Sequence, residues 1–175
     1  MSIGILLIRL LLAAILVVHA SQKSFGWFQG GGIERMSASF HSLGLRPGRV
    51  MVRTASAFEI LAAISLALGL ATPLGAAAAA GSMCVAGITM TTSVHKLWNA
   101  AGGGEYPFVL AVVALAIGVT GPARISLDAV IGSRIAEYSA YANGGWLIGI
   151  CVAALAAVAV IPFAVVIHRF TSAKS

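Results

Sequence analysis

Charge is scarce in this chain: 9% of its 175 residues are charged and five are acidic, while 59% are hydrophobic. So little polar material cannot coat a water-facing globule of this length, which excludes an ordinary soluble domain and points to the lipid bilayer as solvent. The formal net charge is +6, yet there is no run of five basic residues and no aromatic interleaving, so a nucleic-acid partner is not indicated. Cysteine is nearly missing as well. Cys84 and Cys151 stand alone in apolar stretches, which excludes a Cys-x-x-Cys dithiol or metal site and leaves packing thiols. Nucleophile elbows, phosphate-binding glycine loops, His-Glu-x-x-His motifs and paired mid-membrane histidines are also lacking, and no metal site is expected.

What is present is a series of apolar runs at about 3–22, 50–71, 74–95, 107–121 and 145–168. About 20 residues cross a hydrocarbon core, so the expectation is an all-α membrane protein with five crossings. The first run lacks a basic start, and His19-Ala20-Ser21-Gln22-Lys23 is a poor cleavage site, so it reads as a retained helix and not a signal peptide. Pro107 suits a first helical turn, Gly121-Pro122 a stop, and Pro162 a kink in the last run, which Trp146 and His168 flank. Between the first two runs, Met36, Phe40 and Leu43 share one face of a short surface helix expected over 33–43. Gly75 to Gly81 encloses five alanines, a pattern suited to close helix contact.

Lys23, Arg35, Arg46, Arg49, Lys96, Arg169 and Lys174 fall on one side of such a topology, and only Arg124 and Arg134 on the other. The positive-inside rule then places the N-terminus outside and the C-terminus in the cytoplasm.

Charges inside crossings cost about 2.5–3.5 kcal/mol at a helix centre, so Arg9 and Glu59 require an account. Counting inward from His19 and Arg49 puts both at similar depth, and they are expected to form a buried ion pair. That pair either locks two helices or tunes a ligand site. Arg53, one turn inside, reads as an interfacial anchor; Glu34, Asp128 and Glu137 read as solvated loop charges, with Asp128 alternatively capping or orienting the segment after the fourth run. His19 and Lys23 share a helix face. The third run arrives at the same membrane level with His95 and Trp98, and the fourth departs from it with Glu105 and Tyr106. Titratable and aromatic groups from three helices thus converge, a candidate ligand or proton site shaped for a flat ring such as a quinone head group.

Leu7-Ile8-Arg9-Leu10, His19 with Gln22-Lys23, Phe25-Gly26-Trp27-Phe28, Leu43-Gly44-Leu45, Glu59, Gly104-Glu105-Tyr106-Pro107 and Ser126-Leu127-Asp128 follow one another in the order found in the DoxX family, which the chain resembles over about residues 3–130. The resemblance implies a four-helix transmembrane core over 1–130, including the loop 24–49. A linker, a fifth C-terminal transmembrane helix and a basic tail would then occupy 131–175. It implies a multi-pass protein of the bacterial inner membrane, with oxidoreductase association through a quinone or through oxidative-stress and thiol-handling complexes. Arg9, His19, Lys23, Glu59, His95 and Glu105 are the positions it singles out.

Two readings stay open. In one, the chain is a redox-associated subunit whose quinone is held at the basic end. In the other it is a non-catalytic scaffold that docks protein partners through loop 24–49 and the fifth helix. Electrons in either case need a carrier, because the chain has no redox-active cysteine pair. A transporter is disfavoured, since no internal repeat or matched pair of broken helices is present.

Overall fold

A computed structural model describes residues 2–138 and 145–172, except the side chains of Ser2, Trp146, His168, Phe170, Thr171 and Ser172. The flanking roles expected of Trp146 and His168, and the tail charge Lys174, lie outside the described residues. The elements are α1 (Ser2–Ser24), α2 (Gly32–Ser42), α3 (Gly48–Leu68), α4 (Thr72–Val94), a 3-10 turn (Asn99–Ala101), α5 (Glu105–Thr120), α6 (Leu127–Gly132) and α7 (Trp146–Ser172). There is no strand among the described residues. Among the described residues four helices, α1, α3, α4 and α7, are long and apolar enough to cross a membrane. The fifth apolar helix, α5, has 16 residues, about 24 Å at 1.5 Å per residue. The expected all-α bundle of a four-helix core and a fifth helix is the observed architecture.

Leu12 and Leu16 of α1 meet Ala62 and Leu66 of α3, Ala76, Ala80 and Met83 of α4, and Ala114 and Ile117 of α5 in one core. Small residues dominate the α4 side of it, as expected where packing, and not water exclusion, must hold helices together in lipid. At Gly87 an added Cβ would stand 2.7 Å from the Phe108 ring, and at Gly104 it would stand 2.1 Å from the Gly87 carbonyl. That close approach seats the start of α5 on α4. Leucines and valines left exposed, such as Leu7, Leu61, Val112 and Val158, form the outer face that lipid chains cover.

One expectation about the periphery changes. The surface helix forms as α2, but its apolar residues Phe40, Met36 and Ile33 pack on Val52 of α3 and Ile167 of α7, so the protein itself covers that face. The fifth helix packs into the bundle: Val152 and Ala156 of α7 belong to the central core. Gly81 of α4 faces Ala156 and Ala159. Cys84 is half-buried, as a packing thiol would be, whereas Cys151 is exposed on α7.

Candidate functional site

Lys23 and Glu59 make the central contact. The ammonium of Lys23, at the last turn of α1, donates to Glu59 Oε1. Ser82 Oγ on α4 donates to the same oxygen at 3.2 Å. Glu59 and Ser82 both lie near the middle of their helices, so this node sits deep in the bundle. Lysines near membrane ends ordinarily extend their charge outward to water. Lys23 turns inward, and only 8% of it is exposed; a fully buried carboxylate without a cation would cost more than the lysine loses in hydration.

Above the node, towards the loop joining α1 and α2, the His19 ring stacks on Tyr106 at 6.0 Å between centroids and 19° between planes. His19, Gln22 and Lys23 line one end of a cavity of about 830 Å³. From there it runs as a slot with Phe58 and Leu61 of α3 on one wall, Leu155 and Phe163 of α7 on the other, and Ala78, Gly81 and Ser82 of α4 among its lining residues. Between Met90 and Leu74, both on its lining, α4 advances sixteen residues, about 24 Å. The slot is therefore longer than one membrane leaflet of about 15 Å, apolar along most of its length and polar at one end.

Among the described residues four buried side-chain oxygens have no protein partner: Glu59 Oε2 and Ser56 Oγ at the node, Thr89 Oγ1 on the slot lining, and Thr72 Oγ1 at the opposite membrane end. Ser56 stands one helical turn before Glu59, and Thr89 lines the slot. Buried polar groups are satisfied in the great majority of cases, so the first three mark a place that a bound head group or water can complete.

The expected Arg9–Glu59 pair does not form. Arg9 is 1% exposed, but its guanidinium donates to Leu66 O at 2.8 Å, Pro122 O at 2.6 Å, Ile125 O at 3.0 Å and Ala67 O at 3.4 Å. The reason is register. With Arg9 opposite Leu66 in antiparallel helices, Glu59 stands opposite Leu16, seven residues or about 10 Å from Arg9. Arg9 instead ties the last turn of α3, whose terminal carbonyls have no helical donors, to the segment before α6.

Asp128 does cap a helix, but it is the start of α4 and not the segment after the fourth run. It is not a solvated loop charge but is fully buried. Its two oxygens accept from Ala71 N at 2.7 Å and Thr72 N at 2.9 Å, and Tyr138 Oη donates to it at 2.5 Å. It thereby caps α4 from another part of the chain, at the membrane end opposite His19. A usable signal was the Ala71 position: alanine has no side-chain acceptor for the first N–H groups of α4, so a distant acceptor was needed.

The other candidates separate. His95 closes α4 in a left-handed conformation (φ 53°) and is exposed. Trp98 is 66% exposed, and Glu105 Oε2 accepts from Asn99 N at 3.0 Å, holding the turn before α5. None of these three lines the slot. Glu34 pairs with Arg49 at the surface, Glu137 is exposed and so is Arg53. Among the described residues no cluster of three His, Cys, Asp or Glu side chains is arranged to hold a metal ion.

The DoxX family profile matches residues 4–92, half of the chain. The chain belongs to the DoxX family. The match spans α1 to α4 and thus contains Arg9, His19, Lys23, Glu59 and Ser82, while α5 to α7 lie beyond it. No curated protein and no solved structure matches the chain.

Proposed function

We propose that this DoxX-family membrane protein is a redox-associated subunit that holds a quinone in the slot between α3, α4 and α7, with the head group at the polar end. The observation that carries this reading is the form of the cavity: a long apolar slot ending at His19, Gln22 and Lys23, beside three of the buried oxygens without partners. Ligand sites of this volume are usually mostly apolar with few oriented polar groups.

A bound quinone supplies a carrier of two electrons and two protons, chemistry that no side-chain group of this chain provides. The chain's own groups have separable tasks. Stacking on Tyr106 fixes the His19 imidazole, whose ring nitrogens can donate or accept a proton beside the head group. The Lys23 ammonium, held by Glu59, is a fixed donor. Ser82 and Thr89 bring hydroxyls that serve as donor or acceptor. Arg9 and Asp128, at the other end of the bundle, position helices and take no part in this site.

The same reading places the protein in a bacterial inner membrane with the α1–α2 loop in the cytoplasm, following the excess of basic residues at that end. Partner proteins would then dock there, where electrons enter or leave. Titration of a long-chain benzoquinone into purified native protein is expected to saturate at one site, and His19→Ala and Ser82→Val to weaken it about tenfold or more. Saturation that is identical in all three proteins contradicts the assignment of the polar end.

A further inference from the structure

We infer that the slot selects its ligand by chain as well as by ring: it takes a single-chain amphiphile with an uncharged head group, drawn sideways from the bilayer. This rests on the quinone reading and adds what the lower half of the cavity does.

Three features of the slot carry it. First, the lining continues past the polar node to Ser65, Ala71 and Leu74, at the far membrane end of α3 and α4. From Ser82 to Leu74 is eight residues, about 12 Å of further slot below the node, far more than a ring head group occupies. Second, its rim is open to lipid. Phe58 is 52% exposed, Leu61 62%, Leu74 54% and Leu155 51%, and each of the four also lines the slot. A ligand can therefore enter laterally, without passing through water. Third, the polar end has no charge to spare. Among the described residues the one lysine or arginine on the lining, Lys23, is already paired with Glu59, so an anionic phosphate head meets a cation whose charge is already compensated. A volume of about 830 Å³ falls within the range of sites for one small molecule, about 300–1,000 Å³.

The affinity gained from the chain comes from packing, because lipid and slot are equally apolar. It should thus be moderate and steeply dependent on shape. Ala78 lies one helical turn below Ser82 on the lining, and Leu74 closes the far end in an exposed position, so a larger side chain at either site shortens the slot without touching the polar node.

The test uses the full chain in detergent micelles and one benzoquinone ring carrying no chain, a short prenyl chain or a long prenyl chain, compared at equal mole fraction in the micelle. The long-chain compound is expected to bind about tenfold more tightly than the bare ring. Ala78→Phe and the more exposed Leu74→Trp should each bring the long-chain compound's affinity down towards that of the bare ring in the same variant. Equal binding of all three compounds, or a chain advantage that survives both substitutions, overturns the inference and leaves the head-group reading standing. Failure of every compound to bind removes both. Displacement of the long-chain compound by an anionic phospholipid, phosphatidylglycerol, also overturns the inference.

Discussion

Lys23 shows how one side chain can be committed by its partner's burial. Glu59 is fully buried and Lys23 nearly so. Removing one member of such a pair leaves an uncompensated charge, at a cost of about 3–5 kcal/mol, whereas replacing both with apolar residues is often neutral. Lys23→Met should therefore lower the unfolding midpoint strongly in detergent, and Lys23→Met with Glu59→Met should recover most of the loss. A double variant as unstable as the single one would show that the pair's value is not electrostatic. The presence of buried charge was legible in the sequence, since Arg9 and Glu59 interrupt apolar runs. Its pairing was not, because depth counted inward from His19 and Arg49 assumes that the two helix ends are level. The actual register is set by how α1 packs on α3, and an inward-turning lysine reverses the usual outward preference.

At the level of elements, the ends of helices decide the arrangement. α4 begins at Ala71 with no side-chain cap of its own, and Asp128 supplies both acceptors from 57 and 56 positions away. Arg9 does the converse for the last turn of α3, donating to Leu66 and Ala67 carbonyls. Together they clamp the α3–α4 turn and the segment before α6 at the end of the bundle opposite His19. Asp128→Ala removes two backbone acceptors and a tyrosine contact at once, so a loss of about 2–4 kcal/mol is expected. The loss should appear as a lowered thermal midpoint while the cavity's polar end, on the other side of the membrane, keeps its ligand affinity per folded molecule. Loss of affinity in the folded fraction would mean that the two ends are coupled. Helix positions were readable from hydropathy, and α5 and α7 fall within a few residues of the expected runs. What periodicity could not supply was the far-reaching cap, since partners nearly sixty residues apart leave no local pattern.

For the molecule as a whole, the fifth helix changes what the four-helix core can do. The family match ends at Thr92, yet Leu155, Ala159 and Phe163 of α7 line the same slot as α3 and α4. The site is therefore a product of the complete bundle, and α7 gives the matched core a second wall. This was out of reach of the sequence, where the run at 145–168 carries no polar group to tie it to a site and reads equally well as a docking helix. Of the residues expected to converge at the basic end, His19 stacks on Tyr106 and lines the slot with Lys23, while His95, Trp98 and Glu105 lie at the neighbouring turn and off the slot.

Whether the polar-ended slot holds a lipid-soluble redox compound can be read by purifying the protein from its membrane in mild detergent, extracting bound compounds and identifying them by chromatography. The native chain should yield about one quinone per protein, and Glu59→Gln and His19→Ala, checked for intact folding, should yield much less. No quinone in the native protein, or the same amount in all three, would contradict the assignment of a quinone to the slot.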